Sequence, residues 1–558
     1  MTRAAHPLLI LGLDGGTLSI LRPLIAAGRL PHLGQLMAEG WSTELLSTRP
    51  TATLPAWTSF LTSASPAQHG VTDIFVHPPD SYGLQPASGL LRRIPTALTQ
   101  LSAQGYRVCS VGVPGTFPPE AVNGLCVSGF DAPSPNRAGP EAVFPPEAFA
   151  DFQRAGGWNY NVFNEHSTKP DHLQSAADAI LRDIQRKERT TLQLYGQEPW
   201  DLFFVHLQAS DTVAHHFWHW HDPNSPRAPE DAPPDPVARV YERLDQMLGA
   251  LRERLQPESR ILVVSDHGFG GASTTAVFLN RWLAEQGLLD FLSPWKTAAR
   301  KQAGRALRGT LAHLPNALAG LAKKSLKGRL HADVMDLARG TCVDFSRSRA
   351  FSHELDYAPS IWINQRGIFP AGDVSPEDAL ALARQLREAL LKLRCPILGH
   401  PLIEAVHLRA ELAPERDAAL LPDLTIEPAW PEGYRPSFLS SPGPGPVVRT
   451  LRPEEWSAPK GVGLPGVHRR EGVFMAWGPG LEPMELPVMD IAQAGGLIYP
   501  LMGAAIPPNL HVPPPAYLEE LLPFSTGDEG FDLPPLGALD LGSSEGLRDR
   551  LQTMGYID

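Results

Sequence analysis

Short apolar runs alternate with longer amphipathic segments through the first 290 residues of the chain. Four runs lack the polar alternation of a half-exposed strand and are typical of strands buried on both faces: PLLILGL, RVCSVGV, DLFFVHL and RILVVSD. Three segments between them carry apolar residues at helical spacing: LSILRPLIAAGRLPHLGQLMAEG, HLQSAADAILRDIQRKERTTLQLYG and DPVARVYERLDQMLGALRERL. This alternation predicts an α/β sandwich in which helices cover a mostly parallel central sheet.

Two segments interrupt the alternation and are predicted to be insertions. The first spans 131–171, and the second spans 291–345 and contains the basic stretch KTAARKQAGRALRGTLAHLPNALAGLAKKSLKGRL. Loops at the rim of an open α/β sheet build its ligand site, so we expect both insertions to cross that rim. The basic stretch fits two interpretations, a surface that attracts an anionic substrate and a solvated amphipathic helix.

From residue 346 the pattern becomes mixed. This region holds one helical and two strand-like segments, followed by a last strand and helix that we expect to return to the main sheet: PEDALALARQLREALLKL, LIEAVHL, PDLTIEP, GVFMAWGPG and DIAQAGGLIYPLMG. The predicted organisation is a discontinuous core, two insertion segments and a C-terminal tail. The core covers 1–130, 172–290 and 346–530, the insertions cover 131–171 and 291–345, and the tail covers 531–558.

Composition narrows the class of protein. A chain of 558 residues with 43% hydrophobic residues can bury a large core. Its net charge of −12 and isoelectric point near 5.9 argue against a surface built to bind nucleic acid, although one basic pocket for a small anion stays compatible. The four cysteines form no CxxC pair, so neither a zinc ribbon nor a disulfide framework is predicted.

No segment has the features of a membrane span or a signal peptide. The apolar run near the N-terminus covers about six residues, and no small-residue cleavage site follows it. No run reaches the roughly 18 apolar residues that cross a bilayer. We therefore expect a cytoplasmic protein without a membrane partner.

Acidic and histidine residues stand where the predicted strands end or are about to begin. Six residues share this placement: Asp14, Asp211, His215, Asp266, His267 and His468. The last of them stands just before the strand GVFMAWGPG, and the others follow predicted strands. Because the carboxyl ends of parallel strands meet at one rim, these side chains are expected to converge. Taken alone, an aspartate after a strand is usually a helix cap or a turn residue.

The segment DTVAHHFWHWHD places Asp211 and His215 four residues apart. On a helix the two side chains share one face, which is the geometry of two ligands to one metal ion. The alternative is a histidine-rich helix packed on the core, which explains three further histidines that we do not assign as ligands: His216, His219 and His221. That alternative does not explain an aspartate at the end of a strand.

Three aspartates and three histidines on one rim suit two divalent cations, most naturally zinc or manganese. Two such ions clamp the attacking and leaving oxygens of a displacement at phosphorus.

The stretch RPTATLPAWTSFLT supplies a candidate nucleophile. Pro55 suits the first turn of a helix, which places Thr53 at or just before the N-cap. A threonine hydroxyl is too weakly acidic to attack unaided, but a bound cation and the positive end of a helix both favour its alkoxide. The alternative is that Thr53 only caps the helix. Thr51 is the neighbouring hydroxyl to test beside it.

Five segments in this order resemble the alkaline phosphatase superfamily: GLDGGT, RPTATLPAWTSFLTSASPAQHGV, DTVAH, SDHGFG and GVHRREGVFMAWGPG. Within it the chain is similar to the type I phosphodiesterase/nucleotide pyrophosphatase branch, and more similar still to a bacterial group described as predicted phosphohydrolases or phosphomutases. The resemblance spans roughly 7–290 and 346–525 and extends to the tail LRDRLQTMGYID. It implies an alkaline phosphatase-like three-layer sandwich with a mostly parallel central sheet and insertions at the rim.

The resemblance also implies an activity, a metal-dependent phosphohydrolase that cleaves phosphodiester or phosphomonoester bonds of a small substrate. Thr53 would attack phosphorus and form a covalent phospho-threonine, which water then hydrolyses. The implied ligands of the two metal ions are Asp14, Thr53, Asp266 and His267 for one, and Asp211, His215 and His468 for the other. The family's metals are usually two zinc ions, while its phosphomutase relatives use manganese.

Several positions depart from the family pattern or extend it. Nucleotide pyrophosphatases carry an asparagine that holds a phosphate oxygen where this chain has Ile74, so the resemblance does not extend to nucleotide specificity. No cysteine stands in the CxPxR motif of sulfatases.

His69 is interpreted as a structural residue that packs the turn after the nucleophile helix. Three arginines are candidates to bind a phosphate oxygen bidentately, each with a structural role as the alternative: Arg49, Arg469 and Arg470.

Three alternative functions compete with hydrolysis. A phosphomutase or phosphotransferase would use the same site and return the phosphoryl group to a hydroxyl. A non-catalytic binding protein would be expected to have lost metal ligands, yet all of them are present. A dinucleotide-binding oxidoreductase is disfavoured, because GLDGGT lacks the GxGxxG spacing and places Asp14 where a pyrophosphate would lie.

Overall fold

A computed structural model of the chain describes residues 3–77, 80–132, 136–163, 172–231, 233–300, 302–303, 342–413, 421–456 and 463–527. The strands in these ranges are β1 (Leu8–Leu13), β2 (Trp41–Leu46), β3 (Phe75–Val76), β4 (Gln85–Pro86), β5 (Val108–Val113), β6 (Gly124–Ser128), β7 (Val143–Phe144), β8 (Leu202–Leu207), β9 (Arg260–Val264), β10 (Gly268–Val277), β11 (Ala350–Phe351), β12 (Ser360–Ile363), β13 (Ile403–Leu408), β14 (Leu424–Pro428), β15 (Arg435–Phe438), β16 (Val448–Thr450), β17 (Gly466–Arg469), β18 (Glu471–Trp477), β19 (Met484–Glu485) and β20 (Met489–Asp490). The α-helices are α1 (Leu18–Ala26), α2 (Pro31–Glu39), α3 (Thr53–Thr62), α4 (Pro66–His69), α5 (Ala97–Ala103), α6 (Phe149–Ala155), α7 (His172–Gln197), α8 (Ala209–His221), α9 (Pro236–Arg252), α10 (Leu279–Glu285), α11 (Pro376–Leu390), α12 (Arg409–Leu412), α13 (Ile491–Gly496) and α14 (Ile498–Met502).

A ten-stranded sheet has the order β19-β2-β18-β9-β1-β8-β5-β6-β7, with β20 beside β2. The four predicted apolar runs form β1, β5, β8 and β9, which are parallel and buried at every position. Strand β18 is the predicted last strand, and it lies between β9 and β2, antiparallel to both. Because β18 reverses direction, β2 runs parallel to β9, and both end at the same rim.

Helices cover both faces of this sheet. Alternate residues of β1 point to opposite faces, so Leu9 and Leu11 pack in one core and Leu8 and Ile10 in the other. The first core also contains residues of α1, α2, α7, α8 and α9, and the second contains residues of α3, α5, α13 and α14. The predicted three-layer α/β sandwich is confirmed.

One predicted helical segment is divided in the structure. Residues 18–40 form α1 and α2, because Gly28 adopts φ +71° and Pro31 begins the second helix. A left-handed glycine ends a helix without steric cost, and proline suits the first turn of the next one.

A second region, whose sheet is built from residues after 342, carries its own hydrophobic core. It contains the four-stranded antiparallel sheet β11-β12-β14-β13 with residues of α10 and α11 packed on it. Strand β10 links the two regions, since it follows β9 and pairs with β15, β16 and β17.

The predicted insertions are described in part. In the first, Phe152 and Trp158 pack into the core that covers one face of the main sheet. Most of the second insertion and the tail 531–558 lie outside the described residues. The domain boundaries stay a prediction. Within the described ranges, no helix combines the length and apolarity needed to cross a membrane.

Candidate active site

The candidate site lies at the carboxyl ends of three adjacent strands, β8, β1 and β9. Asp14 directly follows β1, while Asp266 and His267 follow β9 and precede β10. Asp211 and His215 lie on α8, which begins two residues after β8 ends. The structure therefore brings together the residues that the sequence placed at strand ends.

His468 reaches the same site from a different element than expected. The sequence placed it just before the last strand, but it lies within β17, directly opposite Phe269 of the antiparallel strand β10. The apolar run after it belongs to β18 and enters the main sheet. The motif therefore spans two strands, because GVHR pairs with β10 and EGVFMAW pairs with β9.

Asp211, His215 and His468 form one cluster of possible ligands. The two imidazole Nε2 atoms are 2.9 Å apart, and each lies 3.4 Å from Oδ1 of Asp211. The carboxylate is buried, as is the ring of His468.

The hydrogen bonds of the two rings indicate their tautomers. Nδ1 of His215 lies 2.8 Å from the carbonyl oxygen of Gly466, and Nδ1 of His468 lies 3.1 Å from that of Thr51. A carbonyl oxygen only accepts, so each Nδ1 is the donor, and a neutral ring then presents a lone pair at Nε2. Two lone pairs and a carboxylate oxygen face one another, an arrangement that a bound cation satisfies.

A second cluster contains Asp14, Asp266 and His267. Nε2 of His267 lies 3.5 Å from Oδ1 of Asp14 and 3.3 Å from Oδ2 of Asp266. Nδ1 of His267 lies 3.2 Å from the carbonyl oxygen of Gly268, which again leaves the lone pair on Nε2. Oδ1 of Asp211 is 3.9 Å from the same Nε2, and Asp14, Asp211 and His267 lie close enough together to bind one ion, so Asp211 is shared by the two clusters.

Burial shifts the pKa values of two residues in the second cluster. It raises the pKa of Asp266 well above its ordinary value, and the charge of Asp211 adds to the rise. Burial also lowers the pKa of His267, which keeps that ring neutral. Closely placed carboxyl groups and imidazoles form the N/O donor set of divalent ions such as zinc and manganese. The residues therefore fit metal ions by their chemistry.

Thr53 points into the second cluster. It is the first residue of α3, its Oγ1 lies 3.3 Å from Nε2 of His267, and its side chain is 7% exposed. The N-cap is Ala52, and no side chain caps the helix, so the structure does not support a plain capping role for Thr53. The helix starts two residues before Pro55, earlier than the sequence indicated. The neighbouring hydroxyl of Thr51 donates to the carbonyl oxygen of Thr48 instead.

Several supporting residues were not identified from the sequence. Nε2 of His206 lies 3.0 Å from Oδ2 of Asp14, and Ser210 Oγ donates to the Asp14 carbonyl oxygen at 2.6 Å. The amide of Gly15 donates to Oδ1 of Asp266 at 3.1 Å. A polar imidazole inside the apolar strand DLFFVHL was the available signal for His206.

Gly15 also permits a close approach within the site. Its φ is +65°, and a Cβ atom there would lie 2.3 Å from the ring of Phe269. The glycine after Asp14 is therefore required by both its backbone conformation and this contact.

The three candidate arginines lie in different surroundings. Arg49 forms an ion pair with Glu427 of β14, and Arg470 donates to the carbonyl oxygen of Ser47 at 3.1 Å. The guanidinium carbon of Arg469 lies 3.8 Å from the ring centroid of Trp430. Nothing in the sequence distinguished the three arginines. In the structure Arg469 stacks on an indole ring, whereas Arg49 contacts a carboxylate and Arg470 a carbonyl oxygen.

His69 has the surroundings of a structural residue. Its Nδ1 accepts the Val71 amide at 3.1 Å, and its Nε2 lies 2.9 Å from Ser59 Oγ on α3. Burial lowers the pKa of His69 to about 3, so the ring is neutral.

Residues 8–431 match the family model described as type I phosphodiesterase/nucleotide pyrophosphatase. One similar solved structure is phosphonoacetate hydrolase from Sinorhizobium meliloti in complex with phosphonoformate, with 13% identity, 88% of this chain and 95% of that chain covered, and a TM-score of 0.48. Another is human ectonucleotide pyrophosphatase/phosphodiesterase 5, with 13% identity, 93% and 100% covered, and a TM-score of 0.47. No curated protein matches the sequence significantly.

Proposed function

This chain belongs to the type I phosphodiesterase/nucleotide pyrophosphatase family of phosphoester hydrolases, and we propose that it uses Thr53 as its nucleophile and two divalent metal ions as cofactors. The position of the Thr53 hydroxyl carries the proposal. It lies at the start of α3, makes no cap hydrogen bond and faces His267 among buried carboxylates. The proposed substrate is a small molecule with a phosphodiester or phosphomonoester bond.

The proposed ligands fall into two sets that follow the two clusters. One set is Asp14, Thr53, Asp266 and His267, and the other is Asp211, His215 and His468. Divalent ions bound there would polarise phosphoryl oxygens and lower the pKa of a hydroxyl group or of water. The nitrogen and oxygen donors favour zinc, with manganese as the alternative.

The chain's own residues account for the remaining steps. The Thr53 oxygen, after losing its proton to solvent, attacks phosphorus, and the bond from phosphorus to the leaving oxygen breaks. The leaving oxygen takes up a proton from water, and a phospho-threonine remains. Water then attacks the same phosphorus, which releases phosphate or a phosphomonoester and restores the hydroxyl. The positive end of the helix dipole at the start of α3 favours negative charge on the threonine oxygen and on the phosphoryl group.

Acid quenching during turnover of an aryl phosphodiester tests this proposal. We expect mass spectrometry to find one phosphoryl group, still esterified to the alcohol that did not leave, on the peptide that contains Thr53, and metal analysis to find about two zinc or manganese ions per chain. Thr53→Ser keeps a hydroxyl and is expected to carry the phosphate at the same position. Turnover without a phosphorylated peptide in either protein would refute the covalent step, and turnover that is independent of metal would refute the cofactors.

The same reaction distinguishes hydrolysis from phosphoryl transfer. With a simple alcohol added in excess, a hydrolase releases mainly inorganic phosphate or the phosphomonoester. A phosphotransferase would instead form the ester of the added alcohol from the phospho-threonine.

A further inference from the structure

A cavity outside the candidate site lies between the first insertion and helix α7. Its volume is about 330 Å³, which is within the range of pockets that hold small molecules. Six of the residues that line it are arginines and asparagines: Asn136, Arg137, Asn159, Asn161, Arg182 and Arg186. Among the described residues that line it, none belongs to the seven of the candidate site. The cavity is therefore a separate feature of the molecule.

One wall of the cavity is a short antiparallel contact within the first insertion. Arg137 forms an isolated bridge with Asn159 on this wall. The Tyr160 hydroxyl donates to the carbonyl oxygen of Ser128, the last residue of β6, at 2.6 Å. The wall is thereby held to the main sheet, so the Arg137 side chain starts from a fixed position.

The acid that lines the cavity already has a cationic partner. Asp183 is 6% exposed, and its Oδ2 lies 3.1 Å from Nζ of Lys187. Its Oδ1 accepts a hydrogen bond from Nδ2 of Asn159 at 2.9 Å. The Lys187 side chain is itself buried, and its Nζ lies 5.0 Å from the ring centroid of Trp158. The charge of Asp183 is therefore balanced without the arginines of the cavity.

The described residues supply no counterion to three arginines of the cavity. Within those ranges the guanidinium groups of Arg137, Arg182 and Arg186 form no ion pair and no hydrogen bond. All three side chains are exposed, so a ligand can reach them from solvent. Arg182 and Arg186 lie four residues apart on α7, where like charges repel each other. In a chain with 60 acidic and 48 basic residues, three neighbouring arginines without an acid indicate a site for an anion.

Asn161 adds a neutral donor to this set. Its side-chain oxygen accepts the Phe163 amide at 3.4 Å, and its Nδ2 forms no hydrogen bond within the described ranges. The cavity therefore offers three guanidinium groups and one amide to a ligand. A carboxylate has two oxygens for these donors, whereas a phosphate group has at least three and binds guanidinium groups bidentately.

We propose that this cavity is a second anion site, which binds the phosphate group of a small molecule independently of Thr53 and of the metal ions. Arg137 holds the phosphate from the wall of the insertion, and Arg182 and Arg186 hold it from α7. Asn161 adds a neutral hydrogen bond. Inorganic phosphate carries the same chemistry and is the probe for the site. The alternative is a solvated helix face, which binds no ligand.

Hydrogen exchange of the full-length, metal-loaded protein with and without inorganic phosphate tests the site. We expect phosphate to slow exchange in the segment 136–163 and in α7 around Arg182 and Arg186, in addition to any effect at the metal clusters. Sodium chloride at equal ionic strength should not reproduce this slowing. Absence of slowing in the wild-type protein, or equal slowing by chloride, would indicate a solvated helix face and overturn the proposal.

Substitutions on α7 assign the effect to the cavity. Arg182→Gln and Arg186→Gln should each raise the phosphate concentration needed for half of the slowing by about tenfold, because each removes charge-assisted hydrogen bonds. Arg189→Gln is the matched control, since Arg189 is exposed on the same helix but does not line the cavity. It should behave like wild type, and an equal loss in Arg189→Gln would overturn the assignment. All three variants should match wild type in urea unfolding, because the replaced side chains are exposed.

Turnover separates this site from the substrate site. The double variant Arg182→Gln/Arg186→Gln should hydrolyse a methyl aryl phosphodiester with kcat and KM within about twofold of wild type. A fall in kcat/KM that parallels the loss of phosphate binding would place the arginines in the substrate site and overturn a separate one.

Discussion

Two buried carboxylates, Glu354 near the second sheet and Asp266 at the rim of the main sheet, show opposite ways of placing an acid inside this protein. Glu354 accepts four hydrogen bonds, two from Asn280 and two from Ser441, at 2.6 to 3.0 Å. Oδ1 of Asp266 accepts a hydrogen bond from the Gly15 amide at 3.1 Å, and its Oδ2 faces Nε2 of His267 at 3.3 Å. The chain satisfies the first acid by itself, whereas the second is a proposed ligand of a cation.

The imidazoles show the same difference. His69 has an amide donor on one nitrogen and a hydroxyl on the other. His215 and His468 direct their Nε2 atoms at each other and at a carboxylate. Complete hydrogen bonding marks a structural residue, and mutually facing lone pairs mark a binding site.

Replacement of Thr53 should have the largest effect on turnover and only a small effect on stability. We expect Thr53→Ala to reduce kcat by at least about a thousandfold, because the nucleophile is lost. Its free energy of unfolding should change by less than about 1 kcal/mol, since the side chain caps no helix. Steady-state kinetics and urea unfolding of the same preparation measure both. A stable variant with nearly normal turnover would show that another group attacks.

Metal removal should destabilise the rim and leave the second region intact. A chelator is expected to lower the free energy of unfolding by about 4 kcal/mol for each ion that had been present at a thousand times its dissociation constant. Hydrogen exchange should increase around α8 and the start of β10 but not around Glu354. Equal exchange in both regions, or none, would contradict the assignment of the ligands.

Replacement of Glu354 should have the converse effect. Glu354→Gln places an amide group among four donors, so we expect a loss of about 2 kcal/mol in the free energy of unfolding. Metal content and kcat should remain close to wild type, because Glu354 contacts Asn280 and Ser441 rather than the rim. Urea unfolding with and without chelator checks this. A variant that loses its metal ions would show that the two regions are not independent.

The smallest effect per step is expected from a change of one pH unit. Burial lowers the pKa of His69 from 6.5 to about 3, so the folded state binds fewer protons than the unfolded state between these values. The contribution of this group to stability is therefore full above pH 6.5 and falls as the pH drops towards 3. Its slope is about 1.4 kcal/mol per pH unit. His69→Asn retains an acceptor for the Val71 amide and should reduce the slope of unfolding free energy against pH by one proton.

The main sheet could be predicted because its strands are buried on both faces. β1, β5, β8 and β9 are continuous apolar runs, and a strand of that kind has few alternatives. The division of residues 18–40 into two helices was missed, since apolar spacing continues across the turn at Gly28. The pairing of β17 with β10 was missed as well. The motif GVHRREGVFMAW contributes one strand to each of two sheets, and the local apolar pattern does not show which strand pairs with which.

The residues of the candidate site could be predicted from their positions at strand ends, but the contacts that support them could not. Asp14, Asp211 and Asp266 stand at predictable places on a parallel sheet. The contact of His206 with Asp14 and the anchoring of Arg49 by Glu427 join residues far apart in sequence. Whether an arginine meets a carbonyl, a carboxylate or an indole ring depends on tertiary packing, which no spacing in one sequence records.

The position of β18 between β2 and β9 has a consequence for synthesis of the chain. Six of the seven proposed site residues have been translated once His267 has left the ribosome, yet β2 cannot join the sheet until β18 follows, about 200 residues later. At about 5–20 residues per second, this leaves strand edges of the nascent chain open for roughly 10 to 40 seconds. During that interval the open strand edges can bind chaperones. The final arrangement of the site residues at the rim of the main sheet is one of the last features to form.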